Sequence, residues 1–402
     1  MKPTTHRQRP HSCKLLIAAC LFIFYALASS ARPVKIFISN KGSLQRQEVV
    51  EINLEELQRH MQLAADRPFV VRNIKGQDVD YQITHDGKVL IDASVSPGSS
   101  LQFTAMEGNP RPPHAYVHGE QYPIRKDDIA WENDRIAYRV YGPALQRTKE
   151  KSYGIDIWVK NTPDFVVAER YEKDLYGNVL GAALEKAGRK AEADSVDLAT
   201  TFHLDHGNGM DGYAVGPTLG CGTPALIDGN NFVLPYCYKT YRILDNGPLR
   251  FTVELTYAAN SLGITEHRTI SLDKGTHFNR IDVWYEGITH DMTFCAGVVV
   301  NGNGKPTFGK NLVTYADPTD NPHLHNSQIY VAALFPDNKV EMRLSPDKRN
   351  AVGIVKHYRG EHITYFAGSA WSGYDVRTYP QWQLLADEFM QAKCHPLDVN
   401  VE

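Results

Sequence analysis

The chain has 402 residues, of which 42% are hydrophobic and 22% are charged, and its formal net charge at pH 7 is −3. Residues 1–31 hold four basic and no acidic residues, so the remainder holds 39 basic against 46 acidic residues, a formal charge of −7. This balance argues against nucleic acid or an anionic membrane as the partner. The length exceeds one ordinary domain and suits a small domain followed by a large β-architecture.

The N-terminus predicts a secretory signal peptide over residues 1–31. Basic residues are spread over Met1–Lys14, an apolar run follows over Leu15–Ala28, and small residues end the segment. We therefore expect an exported protein, periplasmic or secreted, that is not inserted in a membrane after the signal is cleaved. A lipoprotein signal ending at Cys20 is the alternative, but it leaves the apolar residues after Cys20 unexplained.

Four cysteines lie beyond the predicted signal: Cys221, Cys237, Cys295 and Cys394. They are too few for a disulfide framework in a chain of this length, and they lack zinc-finger spacing. A bridge between Cys221 and Cys237 and a set of buried free thiols are both open at this point.

Short strand patterns over residues 32–108 predict a small N-terminal β-sandwich. Apolar and polar residues alternate in Val34–Asn40, and an Asp-Gly hairpin turn follows the fourth strand pattern. One helix is predicted at Leu54–Ala65, with Asn53 as its N-cap. The Pro- and Gly-rich segment Gly108–Pro113 predicts the boundary to a second domain.

Residues 109–402 carry longer strand patterns, including Phe165–Glu169, which together predict two large stacked antiparallel sheets. Helices are rare. Val179–Ala193 is predicted to be a surface insertion, and Gln381–Lys393 has Trp382 among apolar residues at helical spacing. The predicted fold class is therefore mostly β, with a large antiparallel β-supersandwich after the small β-sandwich domain.

A hairpin predicted after Leu272 would determine which side chains share a face of its sheet. If Leu272 pairs with Phe278, Arg268 lies opposite Asp282 on a face that also holds Trp284. This face predicts a solvated sheet with a cross-strand ion pair. In a carbohydrate enzyme, the same face would instead line a groove in which Trp284 stacks on a sugar.

The segment over residues 201–220 reads TFHLDHGNGMDGYAVGPTLG and concentrates candidate site residues among five glycines. Glycine permits positive φ and close backbone approach, and the polar side chains between the glycines suit proton transfer, ligation or sugar binding. These side chains are His203, Asp205, His206, Asp211 and Tyr213. A glycine-rich connector whose polar groups satisfy its own backbone is the alternative.

Residues 234–242, LPYCYKTYR, add further aromatic and basic side chains downstream. They are Tyr236, Tyr238, Lys239, Tyr241 and Arg242. The sequence has no P-loop, dinucleotide fingerprint, Gly-x-Ser-x-Gly elbow or His-Glu-x-x-His motif. The familiar nucleotide, serine-hydrolase and zinc-protease chemistries therefore have no signal here.

Long motifs follow one another along the chain: DDIAWENDRIAYRVYGP from residue 127, KSYGIDIWVK from 151, DHGNGMD from 205, VGPTLG from 215 and ILDNGPLR from 243. Together they resemble a family of secreted bacterial proteins from polysaccharide-utilisation systems, long labelled as being of unknown function. The resemblance spans about residues 34–400 and implies a galactose-mutarotase-like β-supersandwich behind a small β-domain. The chain also looks like the family of an ulvan oligosaccharide dehydratase, which removes water from a terminal uronic acid.

Elimination from a uronate requires three groups. A cation must neutralise the carboxylate so that the C5 proton becomes acidic, a base must remove that proton, and an acid must protonate the oxygen leaving C4. Arg135 or Arg125 is the predicted carboxylate clamp, His206 the base, and Tyr213 or Tyr238 the acid. The predicted contacts to an acidic oligosaccharide substrate are Arg125, Trp284, Asp211, Lys239, Tyr241 and His203. A lyase, whose leaving oxygen carries a sugar, needs the same groups.

Two other classes of function stay open. A glycoside hydrolase would use two carboxylates from the set Asp205, Asp211, Glu132 and Glu254. A non-catalytic glycan-binding protein would need only an aromatic and polar groove, because one fold can serve both roles.

No cofactor or metal is expected, since no complete ligand set with a recognisable spacing emerges. A divalent cation near His203, Asp205 and His206 is the alternative. His323 and His325 could also ligate a metal from a strand, although two histidines alone are a weak signal.

Overall fold

The computed structural model describes residues 31–234, 236–318, 327–336 and 339–402. Residues 1–30 of the predicted signal peptide, and the pair His323 and His325, lie outside the described residues. The helices are α1 (Leu54–Met61), α2 (Pro143–Arg147), α3 (Val167–Lys186), α4 (Lys190–Thr200) and α5 (Tyr379–Cys394). The strands are β1 (Val34–Ser39), β2 (Arg46–Asn53), β3 (Phe69–Asn73), β4 (Tyr81–Ile83), β5 (Lys88–Val95), β6 (Ser100–Glu107), β7 (His118–Tyr122), β8 (Asp128–Glu132), β9 (Ile136–Val140), β10 (Asp156–Lys160), β11 (Gly209–Asp211), β12 (Cys221–Asp228), β13 (Asn231–Val233), β14 (Tyr238–Asn246), β15 (Arg250–Tyr257), β16 (Thr265–Asp273), β17 (Phe278–Glu286), β18 (Met292–Val299), β19 (Thr307–Phe308), β20 (Leu312–Asp317), β21 (Ile329–Leu334), β22 (Glu341–Leu344), β23 (Asn350–Tyr358), β24 (Ile363–Trp371) and β25 (Asp398–Val401).

The strands form antiparallel sheets, which confirms the prediction of a mostly β, sandwich-like fold. An eight-stranded sheet runs in the order β14-β15-β16-β17-β24-β21-β20-β19. Two five-stranded sheets, β11-β10-β9-β8-β7 and β13-β12-β18-β23-β22, contribute to one core together with the eight-stranded sheet. Trp131, Phe294 and Tyr365 represent the three sheets in this core, and each is buried.

The N-terminal strands build a smaller sandwich of a four-stranded sheet, β25-β1-β6-β3, and a three-stranded sheet, β2-β5-β4. Both sheets contribute to a separate core, with Ile36 and Ile91 at 0% exposure. Helix α1 begins as predicted, because the Asn53 side chain accepts a hydrogen bond from the Glu56 amide at 2.9 Å. Strand β25 comes from the other end of the chain, so this sandwich is not built from residues 32–108 alone.

Polar contacts join the two sandwiches at the edge of the eight-stranded sheet. The Gln82 side chain accepts hydrogen bonds from the backbone amides of Leu249 and Arg250, at 2.8 and 2.7 Å. His85 Nδ1 lies 2.8 Å from Asp245 Oδ2. These contacts satisfy polar groups at the junction that burial would otherwise leave unpaired.

The hairpin between β16 and β17 has a different register from the predicted one. Ile270 pairs with Ile281 and Arg268 pairs with Val283, a shift of one residue. Such a shift moves every side chain of one strand to the other face relative to its partner. The predicted Arg268–Asp282 pair is therefore wrong: Arg268 is buried and donates to Glu266 at 2.9 Å.

Helices cover two of the outer sheet surfaces. Helix α5 was predicted from its apolar spacing. It packs through Trp382 on β17, β20, β21 and β24. The Trp382 indole donates a hydrogen bond to the Val331 carbonyl at 3.0 Å. Helix α3 lies over the sheet β7 to β11, where Tyr171 packs on Trp158, and α4 packs against α3. The strand predicted at Phe165–Glu169 is wrong, because α3 begins within it.

The cysteines in the described residues are free thiols, and Cys221 and Cys237 are both buried. The bridge considered between these two residues is therefore not formed. Among the helices of the described residues, none combines the length and the apolar character that a membrane span requires.

We predict that Trp382→Ala lowers the free energy of unfolding by about 3–5 kcal/mol, because it leaves a cavity under α5 and removes a buried hydrogen bond. Leu384→Ala is the matched control on the same helix, since Leu384 is 57% exposed and should change stability by less than about 0.5 kcal/mol. Denaturant unfolding of both variants measures the difference. Equal losses in the two variants would contradict the packing role of Trp382.

Candidate functional site

The candidate site lies on the outer face of the sheet β7 to β11. Along β8 and β9, alternate side chains such as Trp131 and Tyr138 point into the core, so their neighbours Asp128 and Arg139 point to the opposite face. Arg139 pairs in register with Asp156 of β10. Strand alternation thus places a buried guanidinium and buried carboxylates on one surface of the sheet.

Arg139 is the centre of this cluster. It donates from Nε to Asp156 Oδ2 at 2.9 Å and from Nη2 to Asp211 Oδ2 at 3.0 Å, and Nη1 lies 3.6 Å from Asp128 Oδ2. Its guanidinium also lies over the ring of Tyr141, 4.8 Å from the ring centroid. One cation therefore faces three carboxylates, and the surplus negative charge lies where solvation is poor.

The excess charge shifts the ionisation of the cluster. Burial, and next to it the charge of Asp156, raises the pKa of Asp211 to about 7, although Arg139 opposes the shift. Burial likewise raises the pKa of Asp128. Burial and Asp156 raise the pKa of Tyr141, whose hydroxyl donates to Asp156 Oδ2 at 3.2 Å. Asp211 is thus a carboxyl that can gain or lose a proton near neutral pH.

A second buried ion pair anchors the helical cover at the other end of the same face. Lys160 donates from Nζ to Glu132 Oε2 at 2.7 Å. The Glu132 carboxylate also accepts hydrogen bonds from the amides of Val166 and Val167 at 3.0 Å, at the beginning of α3. A carboxylate at this position satisfies amides that the helix leaves unpaired and opposes the positive end of its dipole.

A cavity of about 690 Å³ opens between this sheet face, the C-terminal end of α4 and the loop that follows α4. The apolar part of its wall includes Leu145, Leu198 and Leu204. Its polar lining includes Arg125, Asp128, Arg139, Tyr141, His203 and Asp211. This size and mixed lining suit a small ligand or the end of a longer one.

His203 is held against Asp211 at the cavity wall. Its Nδ1 lies 3.1 Å from the Asp211 carbonyl oxygen and 3.8 Å from Asp211 Oδ2. Because a carbonyl only accepts, this contact assigns the proton to Nδ1 and makes Nε2 the basic nitrogen of the neutral ring. The side chain of His203 is 59% exposed, so solvent and ligands reach it.

Arg125 lies beside the same cavity, and the carboxylates of the cavity do not fully pair with its positive charge. Its guanidinium lies over the Phe202 ring, 5.0 Å from the centroid. Its Nε is buried and, within the described part of the chain, has no hydrogen-bond partner. A buried donor of this kind is costly unless a ligand or water accepts from it.

Four of the predicted site residues line the cavity: Arg125, His203, Asp211 and Tyr213. The hydroxyl of Tyr213 is buried and donates to the Gly220 carbonyl at 3.1 Å, so it is committed to the backbone. His206 is not among the lining residues; its ring is exposed and its Nε2 lies 2.9 Å from the Thr201 carbonyl.

The remaining predicted residues lie elsewhere. Arg135 lies in the turn between β8 and β9 and contacts Asp375 at 3.1 Å. Tyr238 is buried and donates to the Asp127 carbonyl, whereas Lys239 and Tyr241 are exposed on β14.

Trp284 lies between two imidazoles on the eight-stranded sheet. His267 and His362 stack on it with ring centroids 4.9 and 4.4 Å away. They come from the two sides of β17, so both faces of the indole are occupied and a sugar ring cannot stack there without displacing a histidine.

The carboxylates considered for a hydrolase or a cation are mostly engaged. Asp205 Oδ1 accepts from the amides of Gly207 and Gly209, both at 2.8 Å, which shapes the loop. Glu254 pairs with Arg242 on an exposed strand surface. Across the residues with described positions, no group of three or more His, Cys, Asp or Glu side chains is arranged to hold a metal ion.

Sequence reasoning missed Arg139, Tyr141 and Asp128 as site residues. A signal was present, since RIAYRVYG alternates apolar and polar residues and a charged residue recurs on one face. Only the cover by α3 and by Phe202, in the loop after α4, makes this face a buried charged surface.

We predict that Asp211→Asn becomes more stable relative to the unmodified protein as pH rises. Because the folded-state pKa of about 7 lies above the value of 3.8 expected for an unperturbed carboxyl, the unmodified protein loses stability between about pH 4 and 7. The variant lacks this titration. The difference in Tm between the two proteins, variant minus unmodified, should therefore increase from pH 5 to 7 and then level off. A difference that stays constant or shrinks would contradict the assignment.

Solved structures with a similar fold include glycosidase proteins. A protein of glycosyl hydrolase family 38 from Enterococcus faecalis matches with a TM-score of 0.50 and 10% identity, covering 92% of this chain and 47% of that one. An alpha-mannosidase from Enterococcus faecalis V583 gives a TM-score of 0.49 and 9% identity, covering 92% and 46%. The chain thus spans about half the length of these structures, and the likeness to the first concerns the fold alone.

A curated relative matches along nearly the whole sequence. It is "Uncharacterized protein P7" of Formosa agariphila, 25% identical over 421 residues, which cover 96% of this chain and 98% of the relative. The family described as "Domain of unknown function (DUF4861)" matches residues 38–399. The chain belongs to this DUF4861 family.

Proposed function

We propose that the cavity binds the terminal uronic acid of an oligosaccharide and that its residues catalyse elimination across C4 and C5, giving a 4,5-unsaturated uronate. The observation that carries this proposal is the meeting of Arg125, the His203–Asp211 contact and Tyr141 in one cavity. Elimination needs a cation, a base and an acid, and these are the side-chain types present. The leaving group is water, or a sugar if the substrate is cleaved internally.

Arg125 is the proposed carboxylate clamp. Arg125 lines the cavity, and the Phe202 ring supports its guanidinium there. Bidentate pairing with this guanidinium would neutralise the carboxylate of the substrate, which makes the C5 proton more acidic. Arg139 is less suited to this role, because Asp156 and Asp211 already accept from it.

His203 is the proposed base. The contact of Nδ1 with the Asp211 carbonyl makes Nε2 the nitrogen that takes the C5 proton, and the Asp211 carboxyl stabilises the imidazolium that forms. This assignment replaces His206, which is bonded to the Thr201 carbonyl and does not line the cavity.

Tyr141 is the proposed acid for the oxygen leaving C4. A phenol is protonated at neutral pH, and the hydrogen bond to Asp156 holds the Tyr141 hydroxyl in place at the cavity. The C5–H bond breaks as its proton moves to His203, and the C4–O bond breaks as Tyr141 protonates the oxygen. The proton on His203 then returns to Tyr141 through solvent, which restores both groups.

Glycoside hydrolysis is the second candidate, and the raised pKa of Asp211 favours it. A carboxyl that is half protonated near pH 7 is suited to general acid catalysis. The two reactions are distinguished by their products, because only elimination creates a conjugated double bond that absorbs ultraviolet light. Hydrolysis creates a reducing end without that absorbance, and a glycan-binding protein creates neither.

We predict that His203→Gln lowers the rate of unsaturated product formation by about 10²–10⁴-fold, while oligosaccharide binding changes little, because a base acts in the transition state. His206→Gln is the matched control in the same loop and should keep the rate within a few-fold. Ultraviolet absorbance with a panel of uronate oligosaccharides measures both variants. Loss of activity in His206→Gln with retention in His203→Gln would return the role to His206.

We predict that Arg125→Lys weakens both binding and turnover, because lysine keeps the charge but cannot form two parallel hydrogen bonds to a carboxylate. The loss should be about tenfold or more in kcat/KM, at the scale of one charge-assisted hydrogen bond. Arg135→Lys is the control, since Arg135 pairs with Asp375 away from the cavity. Equal effects of the two substitutions would refute the clamp.

A further inference from the structure

The cavity has a basic and aromatic border that the catalytic proposal does not use. Lys126 and Glu150 line the cavity, and the segment after α2 continues from Glu150 through Lys151 to Tyr153. Lys149 and Lys151 are exposed on this segment, and neither forms a salt bridge within the part of the chain that the structure describes. In a chain of formal charge −3, this local positive charge is distinctive.

Tyr153 and Tyr236 form an aromatic pair at the end of this segment. Their ring centroids are 5.0 Å apart and their planes are nearly perpendicular, at 86°. Tyr236 is 50% exposed, so a ligand can reach its ring. Perpendicular rings leave the face of one and the edge of the other accessible to a ligand.

Two observations place this pair next to the cavity. The Tyr153 amide donates to the Gly216 carbonyl at 3.3 Å, two residues after Ala214 of the cavity wall. Tyr153 also follows Glu150 of the cavity wall by three residues along the chain. The aromatic pair therefore adjoins the side of the cavity formed by Glu150 and Ala214.

We propose that Tyr153 and Tyr236, with Lys149 and Lys151, form a subsite that binds the sugar residues following the one in the cavity. The proposal rests on the proposed function, because it extends the ligand of that same cavity. Tyrosine offers a flat, partly apolar surface to the C–H face of a sugar at low cost in side-chain entropy. The two lysines then favour a carboxylate or sulfate on that sugar, so the ligand is an acidic oligosaccharide longer than a disaccharide.

Binding of oligoglucuronates of two and four residues, measured by calorimetry, tests the subsite. We predict that Tyr236→Ala weakens binding of the tetrasaccharide about three- to tenfold, as expected for the loss of one aromatic contact, and leaves disaccharide binding unchanged. Tyr176→Ala is the control, because Tyr176 is 65% exposed on α3 and does not line the cavity. Combined Lys149→Gln and Lys151→Gln should weaken tetrasaccharide binding and reduce its salt dependence.

The outcomes separate this subsite from the catalytic proposal. Length-dependent binding that Tyr236→Ala abolishes supports the subsite even if no unsaturated product is ever formed. Unsaturated product with the same tetrasaccharide affinity in Tyr236→Ala overturns the subsite and leaves the reaction standing. Equal binding of neutral oligosaccharides of the same lengths overturns the acidic ligand class.

Discussion

The buried charge cluster around Arg139 is the constraint on which the site and its helical cover depend. Three carboxylates and one guanidinium on a sheet face cannot be left under an apolar layer without partners. The structure meets this constraint with cross-strand pairing inside the sheet and with aromatic rings above it, where the guanidinium lies 5.1 Å from Trp158 and 5.9 Å from Phe202. The cavity opens where this cover ends, and Asp128, Arg139 and Asp211 of the cluster line it.

The large sandwich and the site use opposite faces of one sheet. The inner face of β8, β9 and β10 is apolar and joins the core of the eight-stranded sheet, which holds the strands in place. The outer face can therefore carry an excess of buried negative charge, because the apolar packing of the inner face stabilises the sheet. The alternation of side chains along these strands therefore explains both the apolar core on one face and the raised pKa of Asp211 on the other.

The sequence allowed the mostly β class, α5 and the N-cap of α1 to be predicted, because local periodicity and capping chemistry determine them. It did not allow α3 to be placed, since Glu132, far back along the chain, caps its beginning. The register predicted for β16 and β17 was also wrong by one residue. The length of the turn determines the register, and several turn lengths fit the sequence. Of the residues predicted in the glycine-rich loop, His203 and Asp211 line the cavity. The choice between His203 and His206 needed the fold, because both histidines occupy the same short loop.

The pairing of β25 with β1 has a consequence for assembly of the protein. The backbones of Lys35 and Glu402 exchange two hydrogen bonds of 2.8 Å although almost the whole chain separates these residues. Strand β1 therefore keeps one open edge until β25 arrives, and an open edge is a template for pairing with another molecule. Closing so long a loop is slow compared with forming local hairpins. The small sandwich is thus first in sequence but among the last parts to be completed, and in the meantime it depends on avoiding association with other chains.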